Sequence, residues 1–284
     1  TFLLLIIFKI FDFRTFISFN LSMTLISSGG FLPVNELSIL LNSELKEIIF
    51  SLVMLVSFFS IFLSYNLLFF RSKNINFFQE DIYLLFYFLF LLFIFFVFFN
   101  SDYNFSLILL SLTSSISNIG ISLNESPSNL SFLFLILVII GGSFFSTSSG
   151  LRFLKLYALF KFSINDLISH VKPKNILINK HLYLDISFKK EEVNKYFLSL
   201  IVFIISLMFL TSLLSISGIN FESAFKLSIL TLMNTVNSSM YGMSDFDFQE
   251  LHFFTKYYLI IFMIIGRVEL LTFLIICKKI LFKN

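Results

Sequence analysis

Three times in 284 residues, a half-apolar segment of about 12 residues runs into a small polar cluster between longer apolar stretches. The first runs from Asp12 to Ile26 and ends in Ser27-Ser28-Gly29-Gly30-Phe31. The second runs from Tyr103 to Ser117 and ends in Asn118-Ile119-Gly120-Ile121-Ser122. The third runs from Phe221 to Met233 and ends in Asn234-Thr235-Val236-Asn237-Ser238-Ser239. Twelve helical residues reach about 18 Å, roughly half of a bilayer's hydrocarbon core. Each unit therefore reads as span, half-membrane helix, polar turn, span. A chain that repeats this design three times is expected to be an all-α polytopic membrane protein.

Composition points the same way. Hydrophobic residues make up 57% of the chain, 44 residues are Phe, and only 13% are charged. A soluble surface needs about twice that charge, and disorder needs far less apolar content. Cys277 is the only cysteine, so no disulfide scaffold is available. With His170, His181 and His252 as the only histidines, no zinc cluster suggests itself either. Spans are expected near 48–70, 82–100, 129–145 continuing to 151–162, 196–216 and 257–282, with 1–11 as the end of another. Thr1 lies inside an apolar run without a basic n-region, so the expectation is a chain that starts partway through a longer protein, with no signal peptide. The units are then 1–70, 71–162, a cytoplasmic loop at 163–195, and 196–284.

Charge placement orients these units. The side carrying the half-helices and turns holds Lys9, Arg14, Lys46, Lys226 and Lys256 against ten acids. The opposite side holds Arg71, Lys73, Lys161, Lys278, Lys279, Lys283 and the six lysines of 163–195. Basic residues favour the cytoplasmic side, so the turns open outward.

A half-helix that points its C-terminus at the membrane centre places partial negative charge there. Several such ends around one axis, followed by free carbonyls, can replace the hydration shell of a cation. Glycine permits the backbone geometry that turns carbonyls inward. The expected ion-binding residues are Ser27, Ser28 and Gly29; Asn118, Ile119 and Gly120; and Thr235, Val236 and Asn237. The competing reading of any single cluster is a re-entrant packing turn or an outer loop.

Two further features interrupt the spans. Gly141 and Gly142 lead into Ser143, Phe144, Phe145, Ser146, Thr147, Ser148, Ser149 and Gly150. This stretch lacks the lysine of a phosphate-binding loop and follows no strand. It reads as a break in the helix that can gate an ion path through Gly142, Ser143, Ser146, Thr147, Ser148, Ser149 and Gly150. A kink bonded by Ser and Thr side chains is the alternative. In the last span, Gly266 precedes Arg267, and a mid-bilayer arginine costs about 2.5–3.5 kcal/mol on insertion scales, so it must face protein or water. Arg267 and Glu269 lie about 200° apart on a helix and need separate partners. The free carbonyls and the Ser146 and Thr147 hydroxyls of the break are the expected acceptors for Arg267. Gly266 itself also reads as a close-packing contact.

With these residues in place, the chain resembles the membrane subunit of Trk/Ktr-type potassium transporters. Ser27-Ser28-Gly29-Gly30-Phe31 is similar to that family's second filter, Ser-Thr-Gly-Gly-Phe. Gly141-Gly142 with Phe145 to Arg152 is similar to its broken-helix motif, and Gly266-Arg267-Val268-Glu269 to its Gly-Arg-Leu-Glu. Three of the family's four repeats are represented; the first is absent. The fourth-repeat filter glycine aligns with Asn237, and Phe145 and Ser149 stand where small residues or glycine are usual. The resemblance implies potassium uptake across the cell (inner) membrane, a central filter, and a gate with Arg267 beside it. It also implies a lipid bilayer as surroundings, a homodimer and a separate cytoplasmic nucleotide-binding regulatory subunit. Potassium is the cargo, and no cofactor or nucleic acid is expected in this chain. The alternative is a non-conducting scaffold that keeps the fold. An enzyme fits worst, because no acid–base or nucleophile pair sits at helical spacing.

Overall fold

The computed structural model describes residues 1–34, 37–61, 75–99, 104–123, 128–171, 190–236, 239–243, 246–249, 251–268 and 270–282. Eleven helices are described: α1 (Phe2–Ile10), α2 (Thr15–Ile26), α3 (Glu44–Phe58), α4 (Ile75–Phe99), α5 (Phe105–Ile116), α6 (Ser131–Ile139), α7 (Phe153–Val171), α8 (Lys190–Ile216), α9 (Phe221–Leu232), α10 (Phe253–Val268) and α11 (Leu270–Phe282). Two-residue strands β1 (Ile140–Gly141) and β2 (Leu151–Arg152) pair in parallel and close a loop between α6 and α7. The molecule is an all-α polytopic membrane protein.

Helix lengths follow the apolar pattern. Among the described residues, Glu80–Phe98 and Glu191–Ile216 are long and apolar enough to cross a membrane singly. On α4, Leu84, Phe88 and Phe95 are buried, whereas Phe86, Phe90, Phe93 and Phe98 are more than 60% exposed. A helix that is apolar all round needs apolar surroundings on both faces, here protein on one and lipid on the other. The half-helices α2, α5 and α9 are 12 residues each. Every residue of α5 from Ser106 to Ile116 is buried, while α2 leaves Phe16, Phe19 and Met23 exposed. The second half-helix is thus the most enclosed. It packs against α3, α4 and α6.

Two apolar cores result. One gathers α1, α2 and α3 around Phe8, Phe50 and Met54 and reaches Leu110 of α5. The other joins α4, α5, α6, α8, α9 and α10 around Phe134, Leu210 and Tyr241.

Three boundaries differ from expectation. The stretch 163–195 is not a loop throughout, because α7 continues to Val171 and α8 begins at Lys190. Residues 172–189 lie outside the described ones. The 257–282 stretch is two helices, α10 and α11, inclined at 93° across position 269, which is itself outside the described residues. Arg267 therefore sits in the last turn of α10 and not in the middle of one long helix. There a cation faces the negative end of the helix dipole. Finally, α3 ends at Phe58, where Ser60 donates from its N–H (3.0 Å) and its hydroxyl (2.5 Å) to the buried Asp81 carboxylate of α4.

Candidate functional site

The three half-helices end in the same way. After α2, the N–H of Ser28 donates to Leu25 O and that of Gly29 to Thr24 O (3.4 and 2.9 Å). After α5, Asn118 donates to Ser115 O and Ile119 to Ser114 O (3.2 and 3.1 Å). After α9, Asn234 donates to Thr231 O and Thr235 to Leu230 O (3.2 and 3.0 Å). Each is the paired-bond cap that turns a chain sharply off a helix through one left-handed residue. Those residues are Ser28 (φ 47°), Asn118 (φ 58°) and Asn234 (φ 52°). Two residues beyond the left-handed residue stand Gly30, Gly120 and Val236.

Asn237, expected as the counterpart of the filter glycines in the third turn, lies outside the described residues. Gly30 and Gly120 have φ of 69° and 79°, whereas Val236 does not take a positive φ.

The turns touch one another through these positions. A Cβ placed on Gly30 would stand 2.3 Å from Ile119 O and 2.4 Å from Val236 Cγ2. A Cβ on Gly120 would stand 2.3 Å from Val236 O. No side chain fits in either place. Ile119 and Val236 thus present their carbonyls to the neighbouring glycines. The Thr24 hydroxyl accepts the Phe31 N–H at 2.8 Å and fixes the exit of the first turn. Between the first turn and α9 lies a cavity of about 460 Å³. Ser28 and Gly29 line one side of it, Leu230, Asn234 and Val236 the other, and Met263 and Arg267 of α10 its wall.

Beneath the turns lies the loop closed by the β1–β2 pair. Gly141 and Gly142 are needed for close approach: a Cβ would meet Ser149 O at 2.4 Å in one case and Phe58 O at 2.3 Å in the other. The loop is tied down on several sides. Ser143 and Ser148 donate their N–H groups to Phe58 O and Ser57 O, both at 3.1 Å. The Thr147 hydroxyl donates to Ser57 O at 3.4 Å, and the Ser146 hydroxyl to Ser143 O at 2.7 Å. Phe144 donates its N–H to the buried Glu80 carboxylate at 2.9 Å.

The two arginines divide the acceptors differently from expectation. Arg267 Nη1 donates to Ser149 Oγ at 2.8 Å and Nη2 to Ser27 O at 2.9 Å. The Ser146 and Thr147 hydroxyls, expected to serve it, are engaged within the loop and with α3. It is Arg152 whose Nη1 reaches into the loop, within 3.0–3.2 Å of Ser143 O, Ser146 O, Ser146 Oγ and Ser148 O. One terminal nitrogen has two protons, so these four acceptors share them. Sequence reasoning noted Arg152 only as part of a motif and missed Glu80 and Asp81. The signal was available, since two adjacent acids open an otherwise apolar span.

No family model matches the sequence, and no curated protein matches it. In three dimensions the chain is similar to the potassium transporter TrkH from Vibrio parahaemolyticus, with a TM-score of 0.80 at 20% sequence identity. The likeness is one of fold. It covers 97% of this chain and 61% of the TrkH chain, so this chain spans about three-fifths of that protein's length.

Proposed function

We propose that this chain forms most of the wall of a potassium-conducting pore in the cell membrane. The observation that carries the reading is the convergence of three identically capped half-helices, whose Ile119 and Val236 carbonyls face the glycines of adjacent turns. Helix C-termini and backbone carbonyls are the groups that take over a potassium ion's hydration shell. The TrkH-like fold supports that use of them. In this reading Ser27–Gly30, Asn118–Gly120 and Thr235–Val236, with Asn237, line the filter. The 143–150 loop, held by Arg152 and Arg267, is the gate beneath it.

The cavity beside Ser28, Val236 and Arg267 is the open side of this arrangement. We assign it to a fourth turn-bearing unit, supplied by another segment or a second polypeptide. A homodimer and a cytoplasmic nucleotide-binding regulator are the partners that accompany this reading. The test is potassium uptake in cells lacking their own uptake systems, with the chain expressed alongside a first-repeat segment of a TrkH-type transporter. Growth at low potassium and measured influx are expected, and both should disappear with Gly120→Ala. Absence of influx from a folded, membrane-inserted complex overturns the proposal.

One observation favours a second reading, a non-conducting scaffold. Val236 packs its branched side chain against Gly30. Rescue of influx by Val236→Gly, where the parent chain gives none, would establish that reading.

A further inference from the structure

The residues that end the three half-helices are not the ones helix geometry prefers. A left-handed C-terminal residue is usually glycine, because an L side chain crowds the following carbonyl. Helix α8 obeys this with Gly218 at φ 95°. At the three inner turns, Ser28, Asn118 and Asn234 occupy the same position with φ of 47°, 58° and 52°. Retaining a side chain in this conformation is accounted for by what each side chain meets.

Ser28 and Asn118 are directed at the loop beneath the turns, and Asn234 at α10 beside them. Ser28 Oγ lies 2.8 Å from Thr147 O in the loop and also 2.8 Å from Ser27 O in its own turn. Its one proton can serve only one of them at a time. Asn118 is 1% exposed, and neither its Nδ2 nor its Oδ1 has a hydrogen-bond partner among the described residues. Its amide points at the end of the loop, since a Cβ on Gly150 would stand 3.0 Å from Asn118 Nδ2. Asn234 Nδ2 donates to Met263 O of α10 at 3.0 Å, and a Cβ on Gly266 would stand 3.2 Å from it. The next residue, Arg267, joins Ser27 O to Ser149 Oγ.

We propose that Ser28, Asn118 and Asn234 form one polar layer that couples cation occupancy of the turns to the conformation of the 143–150 loop. The inference rests on the pore reading and adds to it a physical link between filter and gate. A cation that draws the Ser27 carbonyl toward itself weakens it as an acceptor for the Ser28 hydroxyl, and the proton then commits to Thr147 O. The unpartnered Asn118 amide offers the Gly150 end of the loop a second place to bond. Two discrete arrangements, biased by one ligand, are what such coupling requires.

The test is backbone hydrogen exchange of the protein assembled with the fourth turn-bearing unit in lipid nanodiscs, in potassium and in choline. Potassium is expected to slow exchange at 27–30 and 118–120, and also in the 143–150 loop, by about fivefold or more. In Ser28→Gly and Asn118→Gly the turns should still respond and the loop should not. Glycine suits the left-handed backbone, so these turns are expected to remain folded; Ser28→Ala and Asn118→Ala remove the same groups if they do not. A loop that never responds while the turns do, or one that responds undiminished in the variants, overturns the coupling and leaves the pore reading intact. No response in turns or loop overturns both.

Discussion

At the residue scale, the chain puts charge and bulk where only particular side chains fit. Arg152 offers one nitrogen to four oxygens of the 143–150 loop. Arg152→Met leaves these acceptors without their cation and should destabilise the protein by about 2–3 kcal/mol. Arg152→Lys, which keeps a charge and three protons, should lose less than about half of that. Thermal unfolding in detergent orders the two. Gly120 combines a φ of 79° with a carbonyl 2.3 Å from where a Cβ would stand. Gly120→Ala is therefore expected to cost about 2 kcal/mol or more, through backbone strain and overpacking together. A Tm within one degree of the parent would show that the turn yields to a side chain without cost. Gly30 and Gly120 could be picked out from the sequence as turn residues, but their contacts with Val236 could not. Those contacts depend on how the third turn packs against the other two.

At the element scale, helix ends are joined by buried polar contacts and by close backbone approach. The start of α4 is bound to the end of α3 through Asp81 and Ser60, and to the loop through Glu80 and the Phe144 N–H. Glu80→Ala strands a backbone donor and should cost about 1–3 kcal/mol, with faster exchange of the Phe144 amide as its local mark. Gly266 lets α10 lie directly on the end of α9, for a Cβ there would stand 2.3 Å from Leu232 O. Gly266→Leu should push these helices apart and lower the Tm by several degrees, about 1–3 kcal/mol, while Gly218→Ala, with nothing within 4 Å, should show only the backbone penalty of its left-handed φ. The close-packing reading of Gly266 came from the general use of small residues between membrane helices. Its partner, a backbone carbonyl of the third half-helix, is known only from the fold.

At the scale of the whole molecule, the first turn touches the second, the second touches the third, and Gly30 of the first also meets Val236 of the third. A cavity of about 460 Å³ lies between the first turn and α9. Unshielded polar backbone is costly in hydrocarbon, at several kcal/mol per group. Purified 1–284 in liposomes, without any other segment, is therefore expected to show no potassium flux above empty vesicles. Adding a fourth turn-bearing unit should produce flux. Conduction by 1–284 alone would show that the described turns close a path by themselves.

The sequence by itself determined the architecture, because its signals are local and periodic. Apolar stretches of span and half-span length, the polar clusters at 27–31, 118–122 and 234–239, and the glycine-bracketed break at 141–150 are each legible within about 30 residues. Hydrogen bonding within a segment fixes a membrane helix largely without reference to the rest of the chain. The tertiary structure alone decided who meets whom. It gave Arg152 the loop carbonyls and the Ser146 hydroxyl expected for Arg267, left Arg267 with Ser149 and Ser27, and ended α10 at Val268. It also set Glu80 against a loop 64 residues away. Such pairings depend on helix register and packing between segments far apart in sequence. Many partners of similar polarity satisfy the same local pattern, and only the assembled fold selects among them.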